Sequence, residues 1–138
     1  MTEYPGHKAA KAYGAIAAHG GVEAASPHRL VQMLMEGALQ KMLAARLAME
    51  QGKTQAKGES ISWAISIIDG LRDGLDIEKG GDIAANLDNL YEYMGRRLLE
   101  ANLRSDMAML DEVIALLREI KSAWDAVPGQ LQAPNGAA

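Results

Sequence analysis

Residues 26 to 52 read SPHRLVQMLMEGALQKMLAARLAMEQG. Ser26 has the side chain that caps free amides at a helix start, and Pro27 suits the first helical position, where its missing N–H costs nothing. Val31, Leu34, Ala38, Met42, Ala45 and Met49 recur at alternating three- and four-residue steps, the spacing of one helical face. Gly52 is a natural stop. This stretch predicts a helix from Pro27 to about Gln51.

Outward from it the punctuation repeats. A polar stretch, Gly52 to Gly58, leads to a second helix from about Glu59 to Leu75, with Ile61, Ile65, Ile68, Leu71 and Leu75 as its core row. DIEKGGD, Asp76 to Asp82, reads as a turn-rich acidic link. A third helix from about Ile83 to Asn102 carries Ile83, Leu87, Leu90, Met94, Leu98 and Ala101. Ser105 with Asp106 starts a fourth, carrying Leu110, Val113, Leu117, Ile120 and Trp124 and ending near Val127 before Pro128-Gly129. No period-two pattern competes. The fold expected is all-α, an antiparallel up-and-down four-helix bundle over 26–127. Residues 1–25 form an N-terminal arm or short helix, and 128–138 a disordered tail.

Composition narrows the chemistry. The 138 residues are 49% hydrophobic and 23% charged, a globular balance for one domain, with net charge −4 and no cysteine. An acidic chain is poorly suited to a polyanion, so nucleic acid is not expected. Without cysteine there is no disulfide or thiolate site. No apolar run approaches the roughly 20 residues a bilayer requires, and the first residues lack a signal-peptide core. Di-metal bundles need Glu-x-x-His pairs facing inward. His7, His19 and His28 instead lie at or before the start of helix one and read as solvent-exposed. Gly52-Lys53-Thr54 imitates the end of a phosphate loop, but no strand precedes it. Glu92 with Arg96, and Glu100 with Arg104, have the four-residue spacing of solvated pairs. No catalytic set, cofactor or metal is expected.

The informative feature is surplus apolar surface. Beside the core row of helix two runs a second row, Trp63, Ile67, Gly70 and Gly74, leaving Ser62, Ser66, Asp69 and Asp73 a narrow polar strip. The resulting arc of about 220° exceeds what a helix in a lone bundle needs. Helix one has a milder version in Leu39, Leu43 and Leu47. Gly70 and Gly74 sit four apart, suited to close approach of another backbone. These rows either lie under the N-terminal arm or form grooves for helices of a partner or of a second copy.

Three segments carry a resemblance: ASPHRLVQMLMEGAL from Ala25, KGESISWAISIIDGL from Lys57, and GLDIEKGGDIAANLDNLYEYMGRRLLEANL from Gly74. Lys11-Ala12-Tyr13 and Ala123-Trp124 fit the same pattern. From about Lys11 to Trp124 the chain resembles the flagellar export chaperone FliS family. The resemblance implies a bundle in the bacterial cytosol that binds the C-terminal region of flagellin in hydrophobic grooves. It would prevent premature polymerisation and deliver its client to the type III export gate protein FlhA. The residues expected to form the groove are Leu39, Leu43, Leu47, Trp63, Ile67, Gly70 and Gly74, with Tyr13 serving arm docking and export-gate coupling. Asn86, Tyr91 and Asn102 match family positions and read as bundle hydrogen-bonding groups. Met35 stands where the family usually has an aromatic, Trp63 where Lys is common, and Ala10 where a larger aliphatic is frequent. The alternative is a self-associating bundle whose second rows form a homo-oligomer interface.

Overall fold

A computed structural model describes residues 25–127. Four helices follow in order: α1 (Pro27–Glu50), α2 (Thr54–Asp73), α3 (Ile77–Arg104) and α4 (Met107–Ala126). The architecture is an all-α four-helix bundle. The expected arm, including Tyr13, and the expected tail lie outside the described residues.

Polar straps fix the antiparallel registers. Gln32 and Arg46 of α1 lie fourteen residues apart and bond to Asp125 and Asp111 of α4, fourteen apart in the reverse order. Arg72 of α2 pairs with Asp88 of α3 at 2.6 Å, while Lys57, at the other end of α2, reaches the Asn102 carbonyl oxygen. Arg97 of α3 pairs with Glu112 of α4 at 2.9 Å. Each helix thus packs on its chain neighbours, and α4 closes onto α1. The expected Glu92–Arg96 and Glu100–Arg104 pairs are formed at 3.0 and 3.1 Å.

Caps explain most boundaries. The Ser26 side chain accepts from the Arg29 amide, and Pro27 opens α1 as expected. Gly52, at φ 71°, lets the Lys53 amide fold back to the Ala48 carbonyl. Asp106 accepts from the Met109 amide to start α4.

Two boundaries differ from expectation. The stretch Thr54–Gly58 is already helical: its Lys57 side chain is drawn into the interior, where it finds acceptors at the α3–α4 turn. Helix α3 begins at Ile77 rather than Ile83, because Asp76 caps it through the Lys79 amide. The glycine pair still interrupts that helix, since Gly81 (φ 56°, ψ −134°) leaves helical geometry.

The core contains Leu34, Met35, Ala38, Met42 and Ala45 of α1, and Ile61, Ala64, Ile67, Ile68 and Leu71 of α2. From α3 come Tyr91, Met94, Leu98 and Ala101, and from α4 Leu110, Val113, Ile114 and Leu117. Val31, Met49, Ile65, Leu75, Leu87, Ile120 and Trp124 of the expected rows are only partly buried. Ile83 is not core: it is 74% exposed, standing where α2 has already ended.

His28 corrects another expectation. It is buried, with its ring stacked on Trp124 at a centroid distance of 4.8 Å. The Trp124 indole N–H donates to the His28 carbonyl at 3.0 Å, stitching the start of α1 to the end of α4.

Candidate functional site

The bundle is open at one end. There, where α1 and α3 begin and α2 and α4 finish, lies a cavity of about 1190 Å³. Its walls are mostly apolar, among them Leu30, Leu34, Leu71, Leu87, Tyr91 and Trp124. The Gly74–Asp76 connection borders it, with Leu75 as its one large apolar side chain. Gly70 and Gly74 add no side chain to that wall. Burial in these apolar surroundings pushes the Tyr91 hydroxyl up to about 12, so it stays neutral at ordinary pH. Asp76 and Lys79 stand at the rim as its charged members.

The expected groove residues divide among three places. Leu39, Leu43 and Leu47 share a face of α1 with Glu36 and Arg46, whose partners Lys121 and Asp111 are on α4, so this row borders the α1–α4 seam. Leu43 is 42% and Leu47 54% exposed, while Leu39 packs against the core. Trp63 lies at the other flank of α1, with the Lys41 ammonium 5.6 Å from its ring centroid. Gly70 and Gly74 belong to the end cavity.

Ile67 is a correction. At 3% exposure it is a core residue and offers no side chain to a docking face. Its neighbour Ser66, expected in a polar strip, is also buried, its hydroxyl donating back to the Ser62 carbonyl at 3.1 Å. Helix α2 is therefore covered over a wider arc than a core row alone would need.

Sequence reading missed Leu99 and Leu103, both well exposed on α3, and the rim position of Ile83. The i, i+4 spacing of Leu99 and Leu103 was the available signal. Of the three family-matched polar residues, Tyr91 is core, Asn102 accepts from Lys57 through its carbonyl, and Asn86 is exposed.

Among the described residues no three His, Cys, Asp or Glu side chains converge as a metal site. No described helix is long and apolar enough to cross a membrane. The arrangement offers apolar surface rather than reactive groups: a cavity, an exposed leucine edge and a tryptophan.

Comparison with known proteins agrees with that character. The family model described as "Flagellar protein FliS" matches residues 9–131. The chain is 52% identical over 120 residues to the flagellar secretion chaperone FliSB of Pseudomonas aeruginosa, covering 87% of this chain and 95% of that one. It is also 52% identical to FliS of Salmonella typhimurium, over 85% of this chain and 87% of the relative. Similarity extends to FliS of Bacillus subtilis, at 32% over 75% of this chain and 76% of the relative. With a match running through all four helices, the chain belongs to the FliS family, whose members are flagellar export chaperones and not enzymes.

Proposed function

We propose that this chain binds the C-terminal region of flagellin in the bacterial cytosol, keeps it from polymerising, and hands it to the export gate through FlhA. The observation that carries the reading is the apolar cavity at the open end, accompanied by Leu43 and Leu47 along α1. A disordered client that folds as amphipathic helices over such surfaces needs no covalent chemistry and no nucleotide.

The magnitudes favour an extended client. Ordering a disordered segment costs about 2–5 kcal/mol or more. Leu43 and Leu47 are each about half covered already, so burying the rest contributes roughly 1–1.5 kcal/mol apiece. That alone roughly balances the ordering cost. Net binding then requires the cavity as well, and Leu30 at its wall stands about 25 Å along α1 from Leu47 at 1.5 Å per residue. A client engaging both runs along the bundle. In this reading Trp63, Gly70 and Gly74 remain client-facing, and Tyr13 serves arm docking and transfer to the gate.

Isothermal titration calorimetry against a recombinant C-terminal segment of flagellin, with circular dichroism of the mixture, tests the reading. Saturable binding with a gain in helix and a negative heat-capacity change is expected. A folded chain that gives no heat and no helix gain overturns it. Sedimentation velocity without client addresses the self-associating alternative, for which a concentration-dependent increase in size is the signature.

A further inference from the structure

The turn Ile77–Gly80 stands apart from the helix it begins. Gly74 ends α2 before it, and Gly81 leaves helical geometry after it. Between these glycines the Asp76 side chain accepts from the Lys79 amide, and the Asp76 carbonyl accepts from the Gly80 amide at 2.7 Å, making one closed unit. Asp76, Glu78, Lys79 and Asp82 form no ion pair, and no side-chain bond leads from the turn to α1, α2 or α4 among the described residues. Side-chain bonds and ion pairs cross the α1–α4, α2–α3 and α3–α4 seams, whereas among the described residues none reaches this turn from another helix. Helical hydrogen bonding runs on from it into the rest of α3, and Gly80 lies so close to Ala84 that an added Cβ would approach the alanine's at 2.6 Å.

The same unit forms one wall of the end cavity through Asp76, Lys79 and Gly80. Its large apolar side chain, Ile77, is 47% exposed and is not part of the cavity wall. On the α3 side of Gly81, Ile83 stands at the rim. Gly81 has a backbone conformation that side-chain-bearing residues rarely adopt, so the break is specified by sequence.

We infer that Ile77–Gly80, hinged at Gly74 and Gly81, is a clasp that folds over an amphipathic helix of the client seated in the end cavity. This rests on the flagellin reading and adds to it a moving part and a contact residue. Rotation at the two glycines carries Ile77 from solvent onto the bound helix, beside Ile83 at the rim. Reopening requires breaking apolar contacts only, which suits a client that must be surrendered.

Hydrogen exchange of the full chain with and without a recombinant C-terminal flagellin segment tests this, with calorimetry on Ile77→Ser. Amides of residues 77–82 are expected to exchange freely in the free chain and to slow about tenfold or more at saturating segment. Ile77→Ser is expected to weaken binding about tenfold, the size of one apolar side chain's contribution, at an unchanged thermal midpoint. Binding that leaves residues 77–82 unprotected, or wild-type affinity for Ile77→Ser, overturns the clasp alone. A lowered midpoint for Ile77→Ser overturns it too, by placing that side chain in the resting fold. A wild-type chain that does not bind the segment overturns the flagellin reading itself.

Discussion

The Lys57 ammonium donates to the Ser105 hydroxyl at 2.6 Å, and the same group donates to the Asn102 carbonyl at 3.1 Å. Ser105 is in the left-handed region (φ 49°), where the chain turns from α3 into α4. Lys57 is only 6% exposed, so its stem is packed while its head anchors that turn to α2. Replacing it with Ala removes both donors and the stem, and the expected loss is about 1–3 kcal/mol, read by urea unfolding. Lys57→Met keeps the stem and is expected to lose less.

Burial separates two neighbouring rows. Ile67→Asp places a carboxylate in the core and is expected to cost several kcal/mol, enough to abolish the cooperative thermal transition. Leu43→Asp changes an exposed position and should leave the transition within about 0.5 kcal/mol of wild type. In the flagellin reading Leu43→Asp still weakens client binding. Circular dichroism melts beside calorimetric titrations read both effects.

At the open end, where α1 begins and α4 finishes, Trp124→Phe retains a stacking ring against His28 but removes the indole donor to its carbonyl. The expected cost is about 1 kcal/mol by chemical denaturation. A smaller loss for Trp124→Leu than for Trp124→Phe would contradict the stacking account.

Acid should act through opposed carboxylates. The hydrogen bond from Arg72 holds the Asp88 carboxyl below its ordinary range, as Lys121 does for Asp125. Groups so lowered contribute stability that is present above their unfolded values and lost as pH falls through their folded values. Asp69 is the opposite case. Burial, with Asp73 beside it, raises it, so its effect favours folding at low pH and is lost as pH rises through the raised value. Asp69→Asn is therefore expected to stabilise the chain at pH 7, with the gain fading towards pH 3. Asp88→Asn should lower stability at pH 7 and flatten the acid limb. Thermal midpoints measured across pH distinguish the two.

Much of the bundle was legible because caps and periodicity are local. Ser26-Pro27, Gly52 and Asp106 each act within one helical turn, and the rows through Met42, Ile61, Leu98 and Leu117 face inward as their spacing requires. What was not legible depended on partners distant in sequence. Lys57 is helical and buried because acceptors arrive from residues 102 and 105. Ile67 and Ile83 exchange their expected environments because coverage depends on which neighbouring helix is still present at that level. A helical wheel has no ends, and so it could not show that the bundle is open at one of them. In the candidate site, surplus apolarity marks Gly70 and Gly74, which line the cavity, and Leu43 and Leu47, which are exposed on α1, whereas the cavity itself depends on how four helix ends meet.

Met42 and Met94 are fully buried in the core, away from the end cavity. Thioethers oxidise only when peroxide reaches them, and the product is polar enough to disfavour reclosure of a packed core. Each of these two sulfurs therefore keeps a chemical record of the bundle's opening. Their sulfoxide yield over time, set against that of exposed methionines in unfolded chain, would count how often the centre is breached, and a bound client that steadies the bundle would slow the count.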